Sequence, residues 1–408
     1  MKCRHCATPL VHGFLDLGFA PPSNAYIQPA DIRAAERYYP LRLNVCDRCW
    51  LVQTEDYARA DELFASDYAY FSSTSSGWLA HAAHYAEDIT RRLSLGPDSF
   101  VIEVASNDGY LLKNFVAAGI PCLGIEPTDS TADASEILGV PVIRRFFGQT
   151  LAEELIRGGQ QADLIVGNNV YAHVPDINDF TAGLKLALKP GGTITLEFPH
   201  LMNLIAQNQF DTVYHEHFSY LSLYTVARIF AASQLRVVDV EVLPTHGGSL
   251  RVHGAHADDA RPTSDAVHAM RDAEEAAGLR QIDTYLGFQA RAERVKNDLL
   301  VFLIEQRRAG LKVAAYGAAA KGNTLLNYGG VKTDLIAFVC DAAASKQGRL
   351  MPGSHIPIVS PSALRQEQPD YVLILPWNIA SEVMRDHAYI AEWGGRFVIA
   401  VPELSLLS

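Results

Sequence analysis

From Ser99 onward the chain alternates short apolar runs with amphipathic stretches. SFVIEVASNDGYLLKNFVAAGI leads into PCLGIEPTD, PVIRRFF and ADLIVGNNV, and GGTITLEFPH follows a KPGG turn. Strand-length apolar runs between helical patterns predict a parallel, doubly wound α/β sheet. Ligands of such sheets sit at the carboxyl ends of the strands. Thr263 to Gly310 reads as one long helical stretch rich in Ala, Glu and Arg, a connector and packing surface. Strand, turn and helix then return at LKVAAYGAAAKGNTLLNYGG.

At 408 residues the chain is too long for one ordinary core, so several domains are expected. The pattern divides it into residues 1–65, 66–255, a helical connector over 256–310, and 311–408. About half the residues are apolar, a globular composition. The net charge of −12, without a run of Lys or Arg, leaves no footprint for nucleic acid or an anionic membrane. No apolar run approaches the ~20 residues of a spanning helix, and MKCRHCATPL has no signal-peptide core, so the expected location is cytoplasmic.

Four of the six cysteines form two CxxC pairs, Cys3 with Cys6 and Cys46 with Cys49. That spacing lets two thiolates face one ion, and two such pairs complete a tetrahedral zinc site. Disulfides do not suit a reduced cytoplasm, and neither pair clearly follows a strand and opens a helix as a redox CxxC does. Four protein ligands leave zinc no open position. The ion is therefore expected to staple a small domain, not to catalyse.

The first strand of the central pattern ends near Glu103 and runs into Ala105, Asn107, Asp108, Gly109 and Tyr110. Class I methyltransferases usually carry an acid and a run of glycines there. GIEP ends the second strand, placing Glu126 where an acid accepts both ribose hydroxyls, with Pro127 beside it. A dinucleotide would want a closer match to GxGxxG for its pyrophosphate. S-adenosylmethionine has no phosphate and tolerates this turn, so it is the expected cofactor. Asn168 and Asn169 end the fourth strand and are expected to meet the donor's amino-acid portion or the substrate, or else to bond local backbone. Phe146 and Phe147 are placed either to flank adenine or to fill core.

Tyr214 to Tyr220, YHEHFSY, concentrates proton-handling groups. If it is extended, His215 and His217 share one face while Tyr214 and Glu216 point to the other. Alternation therefore does not choose between the histidines, and bringing Tyr214 and Glu216 to the same site needs a bend. THGGSLRV reads as a turn entering a strand, with His246 and Ser249 near it. In the C-terminal third, Gly317, Ala319 and Gly322 fit a loose dinucleotide turn, and Asp341 ends the next strand. Lys321 inside that turn suits any diphosphate at a helix N-terminus.

EVASNDGYLL, GIEP, NNVYAHVPD, YHEHFSY and THGGSLRV behind a four-cysteine knuckle resemble the S-adenosylmethionine-dependent nucleotide-sugar 3-C-methyltransferases of deoxysugar pathways. The resemblance runs from Cys3 to the C-terminal strands. It implies a zinc-binding N-terminal domain, a class I methyltransferase domain and a C-terminal Rossmann-like domain, with a dTDP-linked 4-keto-deoxysugar held between the last two. It places the base at His217, with Tyr214 and Glu216 beside it, and sends either Tyr68 or Tyr70 to the sugar. It also assigns substrate contacts to His173, His246 and Ser249 and the diphosphate to Lys321 and Asn323; Trp377, in PWN closing another strand of the same sheet, is expected to line the base pocket.

The implied chemistry suits these residue types. A carbon next to a ketone becomes nucleophilic only on losing a proton, and the enolate must be held while the methyl group is attacked in line. Neutral histidine can take that proton near pH 7, a tyrosine hydroxyl can donate to the enolate oxygen, and no metal is needed. Three other readings are open: a nicotinamide-dependent sugar-nucleotide oxidoreductase, a binding module with a vestigial fold, and an O- or N-methyltransferase, since fold does not fix the acceptor atom.

Overall fold

The computed structural model describes residues 1–55, 57 and 71–407. Its strands form three sheets. In the first, β1 (His12–Ala20), β2 (Tyr39–Val45), β3 (Val52–Thr54) and β9 (Ser219–Tyr220) lie antiparallel in that order. β9 comes from far along the chain, with Val52 opposite Tyr220 and Gln53 opposite Ser219.

The second sheet contains β4 (Val101–Val104), β5 (Cys122–Ile125), β6 (Val142–Ile143), β7 (Ala162–Asn168), β8 (Leu188–Pro199), β10 (Leu235–Leu243) and β11 (Ser249–His256). Its order is β10-β11-β8-β7-β4-β5-β6. β4 to β8 are parallel, and β11 runs antiparallel to both of its neighbours. This is the class I methyltransferase arrangement, reversing direction of progress between β4 and β7. The predicted KPGG turn is instead an irregularity inside β8, where the register shifts against β7 and Gly191 takes φ +78°.

The third sheet holds β12 (Val313–Tyr316), β13 (Val339–Cys340), β14 (Ile358–Val359), β15 (Tyr371–Ile374), β16 (Arg396–Ile399) and β17 (Ser405–Leu407). The order β14-β13-β12-β15-β16-β17 is parallel except for the last strand, a Rossmann-like sheet. The stretch expected as one helix from 263 to 310 is three, Asp265–Ala276, Ile282–Leu286 and Phe288–Arg308. Gly278 at φ +77° ends the first, and Gly287 separates the other two.

The cores do not follow sequence segments. Phe14 of β1 stacks on Phe288 at 4.7 Å and meets Tyr285 edge-on at 5.7 Å. One apolar cluster joins the first sheet, the helix Phe288–Arg308 and the third sheet. A second joins three of the knuckle cysteines to the methyltransferase sheet. Residues just past the carboxyl ends of β4, β5 and β7 and of β12 and β15 line one shared space. Among the described residues no helix is long and apolar enough to cross a membrane.

Candidate active site

A cavity of about 580 Å³ lies between the two parallel sheets. Its donor side is made by strand ends. Ala105 and Asn107 follow β4 with φ +57° and +50°, and Gly109 follows at +75°. A Cβ on Gly109 would come within 2.7 Å of the Ser135 hydroxyl, so the turn requires glycine although Gly109 does not itself line the cavity. Glu126 reaches the cavity from the end of β5, where Thr128 and the Asn107 amide donate to its carboxylate. Tyr110, Pro127 and Phe147 complete this wall, and the exposed Phe146 lies at its edge. Both amide atoms of buried Asn168 are without a partner among the described residues and face the same space. A glycine-dependent turn, a carboxylate beyond the second strand and an unsatisfied buried amide fit an amino-acid nucleoside such as S-adenosylmethionine.

The opposite wall comes from the YHEHFSY segment, which is not extended. The His217 amide donates to the Tyr214 carbonyl at 2.9 Å and closes a tight turn. The turn supplies the bend that puts Tyr214, Glu216 and His217 on one cavity, and it sends His215 elsewhere, facing the Tyr39 and Pro40 carbonyls. The Thr212 carbonyl lies 3.0 Å from His217 Nδ1. A carbonyl only accepts, so Nδ1 carries the proton and Nε2 keeps its lone pair. His173 has the same tautomer, because its Nδ1 donates to the Glu216 carbonyl at 2.8 Å. The rings of His173 and His217 meet edge-on at 4.6 Å, and Tyr214 covers His217 at 3.9 Å.

Burial in this apolar space disfavours every imidazolium. It holds His217 well below the ordinary histidine range, assisted by His173 and opposed by the Thr212 carbonyl. It lowers His173 to about 4 and His246 to about 4. His246 sits at φ +54° in the THGG turn, where the Asn169 amide donates to its Nε2 at 3.1 Å. The turn is pinned from below. Fully buried Glu197 accepts from Thr245, Arg251 and His81, and His81 stacks on Trp78 at the cavity wall.

The third sheet contributes Ala319, Ala320 and Lys321 at the start of the helix Ala320–Gly329. Lys321 donates to Asn378 Oδ1 at 2.6 Å, and its ammonium lies 4.6 Å from the centre of the Trp377 ring. Burial lowers its pKa, and Asp211 pulls it back up. Trp377 Nε1 donates to Asp211 Oδ2 at 2.8 Å, while burial pushes that carboxyl up to about 6. Pro376 occupies the space over Gly317, 2.4 Å from where a Cβ would stand, and Asp341 already takes the Ala318 amide at 2.8 Å.

Several expected residues stand apart from the cavity. Glu103 lies under the floor, where burial and then Glu126 and Asp108 raise its pKa well above the carboxylate range. Ser249 turns back to the Thr245 carbonyl, Asn323 donates to the Ser23 carbonyl at 2.6 Å, and Trp377 supports Lys321 from behind. Ser249, Asn323 and Trp377 thus stand off the cavity wall, held by these contacts. Tyr68 and Tyr70 lie outside the described residues. Sequence reasoning missed Asn24, Trp78, Thr212 and Lys346, all on the cavity wall. None belongs to a motif, and only tertiary folding brings them there.

The four cysteine sulfurs lie within 4.8 Å of one another, with Cys3 to Cys49 and Cys6 to Cys46 at 3.5 Å. Tetrahedral zinc with ~2.3 Å bonds wants sulfurs about 3.8 Å apart, so the residues fit a closed structural site. The knuckle also braces the cavity. Arg4 donates to the Pro175 carbonyl at 2.7 Å and covers the Phe218 ring at 5.5 Å.

Family models and one full-length relative agree with this architecture. Family models described as "C-methyltransferase C-terminal domain", "Methyltransferase domain" and "Putative zinc binding domain" match residues 244–402, 78–240 and 3–64. Over 407 residues the chain is 34% identical to the C-methyltransferase NovU of Streptomyces niveus, covering 100% of this chain and 97% of that protein. It is 32% identical over 114 residues to the ubiquinone biosynthesis O-methyltransferase of Methylobacterium nodulans, covering 27% of this chain and 44% of that one. A solved magnesium protoporphyrin IX methyltransferase of Synechocystis PCC 6803 is 12% identical, covers 44% of this chain and 81% of its own, and gives a TM-score of 0.33.

Two outcomes follow from the site. Metal analysis should find one zinc per chain, and Cys49→Ser should lose it with a destabilisation on the order of 4 kcal/mol, since loss of a bound metal is among the few mechanisms that large. Well-folded wild-type protein without zinc would contradict the assignment. In NMR titrations, His173 and His246 should stay neutral as pH falls from about 7 to about 5, because burial depresses their pKa values. They should protonate only near 4, and midpoints near the ordinary histidine value would refute the buried geometry.

Proposed function

Because the chain belongs to the S-adenosylmethionine-dependent C-methyltransferase family, we propose that it methylates C3 of a dTDP-linked 4-keto-deoxysugar through an enolate, in the cytoplasm. The observation that carries this reading is the neutral His217, with its Nε2 lone pair directed away from the Thr212 carbonyl in a cavity shared by both parallel sheets.

S-adenosylmethionine supplies an electrophilic methyl group when bound against Asn168 and Glu126. The remaining work falls to the chain. His217 Nε2 takes the C3 proton of the sugar, and the electrons of that C–H bond move into the enolate. Thr212 fixes the tautomer and accepts from Nδ1–H in both protonation states. His246, whose Nδ1 bears the proton because Nε2 accepts from Asn169, and the Tyr214 hydroxyl are the donors offered to the developing enolate oxygen. Lys321 and the amides opening the helix Ala320–Gly329 suit the diphosphate. A dianion seated there also cancels a charge that weakens His217 as a base, so substrate binding strengthens the base it needs.

Incubation with methyl-labelled S-adenosylmethionine and a panel of dTDP-4-keto-6-deoxyhexoses, followed by NMR of the sugar, should place the label on C3. A label on oxygen or nitrogen would replace the enolate mechanism. His217→Ala should lower kcat by about 10²–10⁴, the range of general-base catalysis, with donor affinity unchanged. Since His173 presents the same tautomer, a normal rate in His217→Ala beside a lost rate in His173→Ala would move the base to His173.

A further inference from the structure

We propose that Asn24, on the loop between β1 and β2, is a positioning residue of the sugar site that holds the Glu216 carboxylate in the orientation in which it meets the sugar. The inference rests on the proposed C3 methylation and takes Glu216, which lines the cavity beside His217, to contact the sugar bound there. Asn24 lines the cavity, and its side-chain nitrogen lies 2.8 Å from each Glu216 oxygen across 192 positions of sequence. Glu216 is 2% exposed. A carboxylate so buried needs partners, and the Asn24 amide supplies one to each oxygen without adding charge.

The loop is held as a positioning device would be. Asn323 donates to the Ser23 carbonyl at 2.6 Å, and the Tyr26 hydroxyl donates to the Ala318 carbonyl at 2.5 Å. Ala318 belongs to the turn before Lys321, and Asn323 to the first turn of the helix Ala320–Gly329. Among the described residues, the titratable groups around Glu216 include Tyr26 on this loop, whose pKa is raised by burial and then by the Asp341 and Glu216 charges, His173, which donates to its carbonyl, and His217 next in the chain. A loop of the N-terminal region thus links the diphosphate end of the cavity to the sugar end.

The test is the pH profile of Asn24→Asp in the full-length chain, with Asn24→Ala and wild type alongside. An aspartic acid can replace the amide only while protonated, because two carboxylates in contact share one proton. The Asp variant should turn over at about pH 6 and lose kcat about tenfold for each pH unit above the shared pKa. Wild type should lack that limb. Asn24→Ala should be slow at every pH without it. Donor affinity of the Asp variant should stay constant across the range. Parallel profiles for Asp variant and wild type, or a fall in turnover matched by a fall in donor binding, would overturn the proposal. Absence of methyl transfer by the wild-type chain would overturn the parent reading and this inference with it, whereas normal wild-type transfer with parallel profiles overturns the inference alone.

Discussion

A 2.9 Å hydrogen bond from the His217 amide to the Tyr214 carbonyl bends the chain where period-two alternation would have spread four side chains over two faces. Because the bend is a turn, Tyr214, Glu216 and His217 share one cavity while His215 is consumed by backbone carbonyls on the other side. The turn is held at both ends. Upstream, Asp211 is tied to Trp377 and the Val213 carbonyl accepts from Thr324, so the third sheet sets its entry. Downstream, the Phe218 amide donates to Ala172 and β9 pairs with β3, so the methyltransferase sheet and the first sheet set its exit. All three sheets therefore converge on a segment of four residues.

The electrostatics of the cavity follow from that convergence. Three histidines, a lysine and an aspartic acid are withdrawn from water together, and desolvation outweighs the attractions between them. The imidazoles are pushed toward neutrality, the carboxyl of Asp211 is raised, and the ammonium of Lys321 is weakened. The cavity holds its imidazoles and ammonium toward their neutral forms until a further anion enters. Its polarity is completed by ligands, as the unsatisfied amide of Asn168 also indicates.

Much of this was legible in sequence because it is local. Alternating strands and helices gave the two parallel sheets, CxxC spacing gave the knuckle, and strand-end positions placed Glu126, Asn168 and Lys321 on the cavity. Less legible was whatever depended on distant partners. Ser249, Asn323 and Trp377 sit beside motifs but lie off the cavity wall, bonded to Thr245, Ser23 and Asp211. Asn24 lies in a proline-bracketed loop with no periodicity, and its meeting with Glu216 is written only in the tertiary fold. Glu103 stands where a donor-binding acid is expected, yet its own burial beneath Asp108 and Glu126 removes it from the surface.

The pairing of β9 with β3 bears on how such a chain can be recombined. The knuckle-bearing sheet is closed by two residues, Ser219 and Tyr220, encoded far from the rest of it. Splicing a different N-terminal segment onto this enzyme at the expected boundary would transplant three strands and leave the fourth behind. The new edge would have to accept a foreign strand directly beside the YHEH turn. Shuffling of the apparent modules is thus constrained by a strand that no boundary drawn along the sequence can keep with its sheet, and the N-terminal region is expected to be inherited together with the acid–base segment.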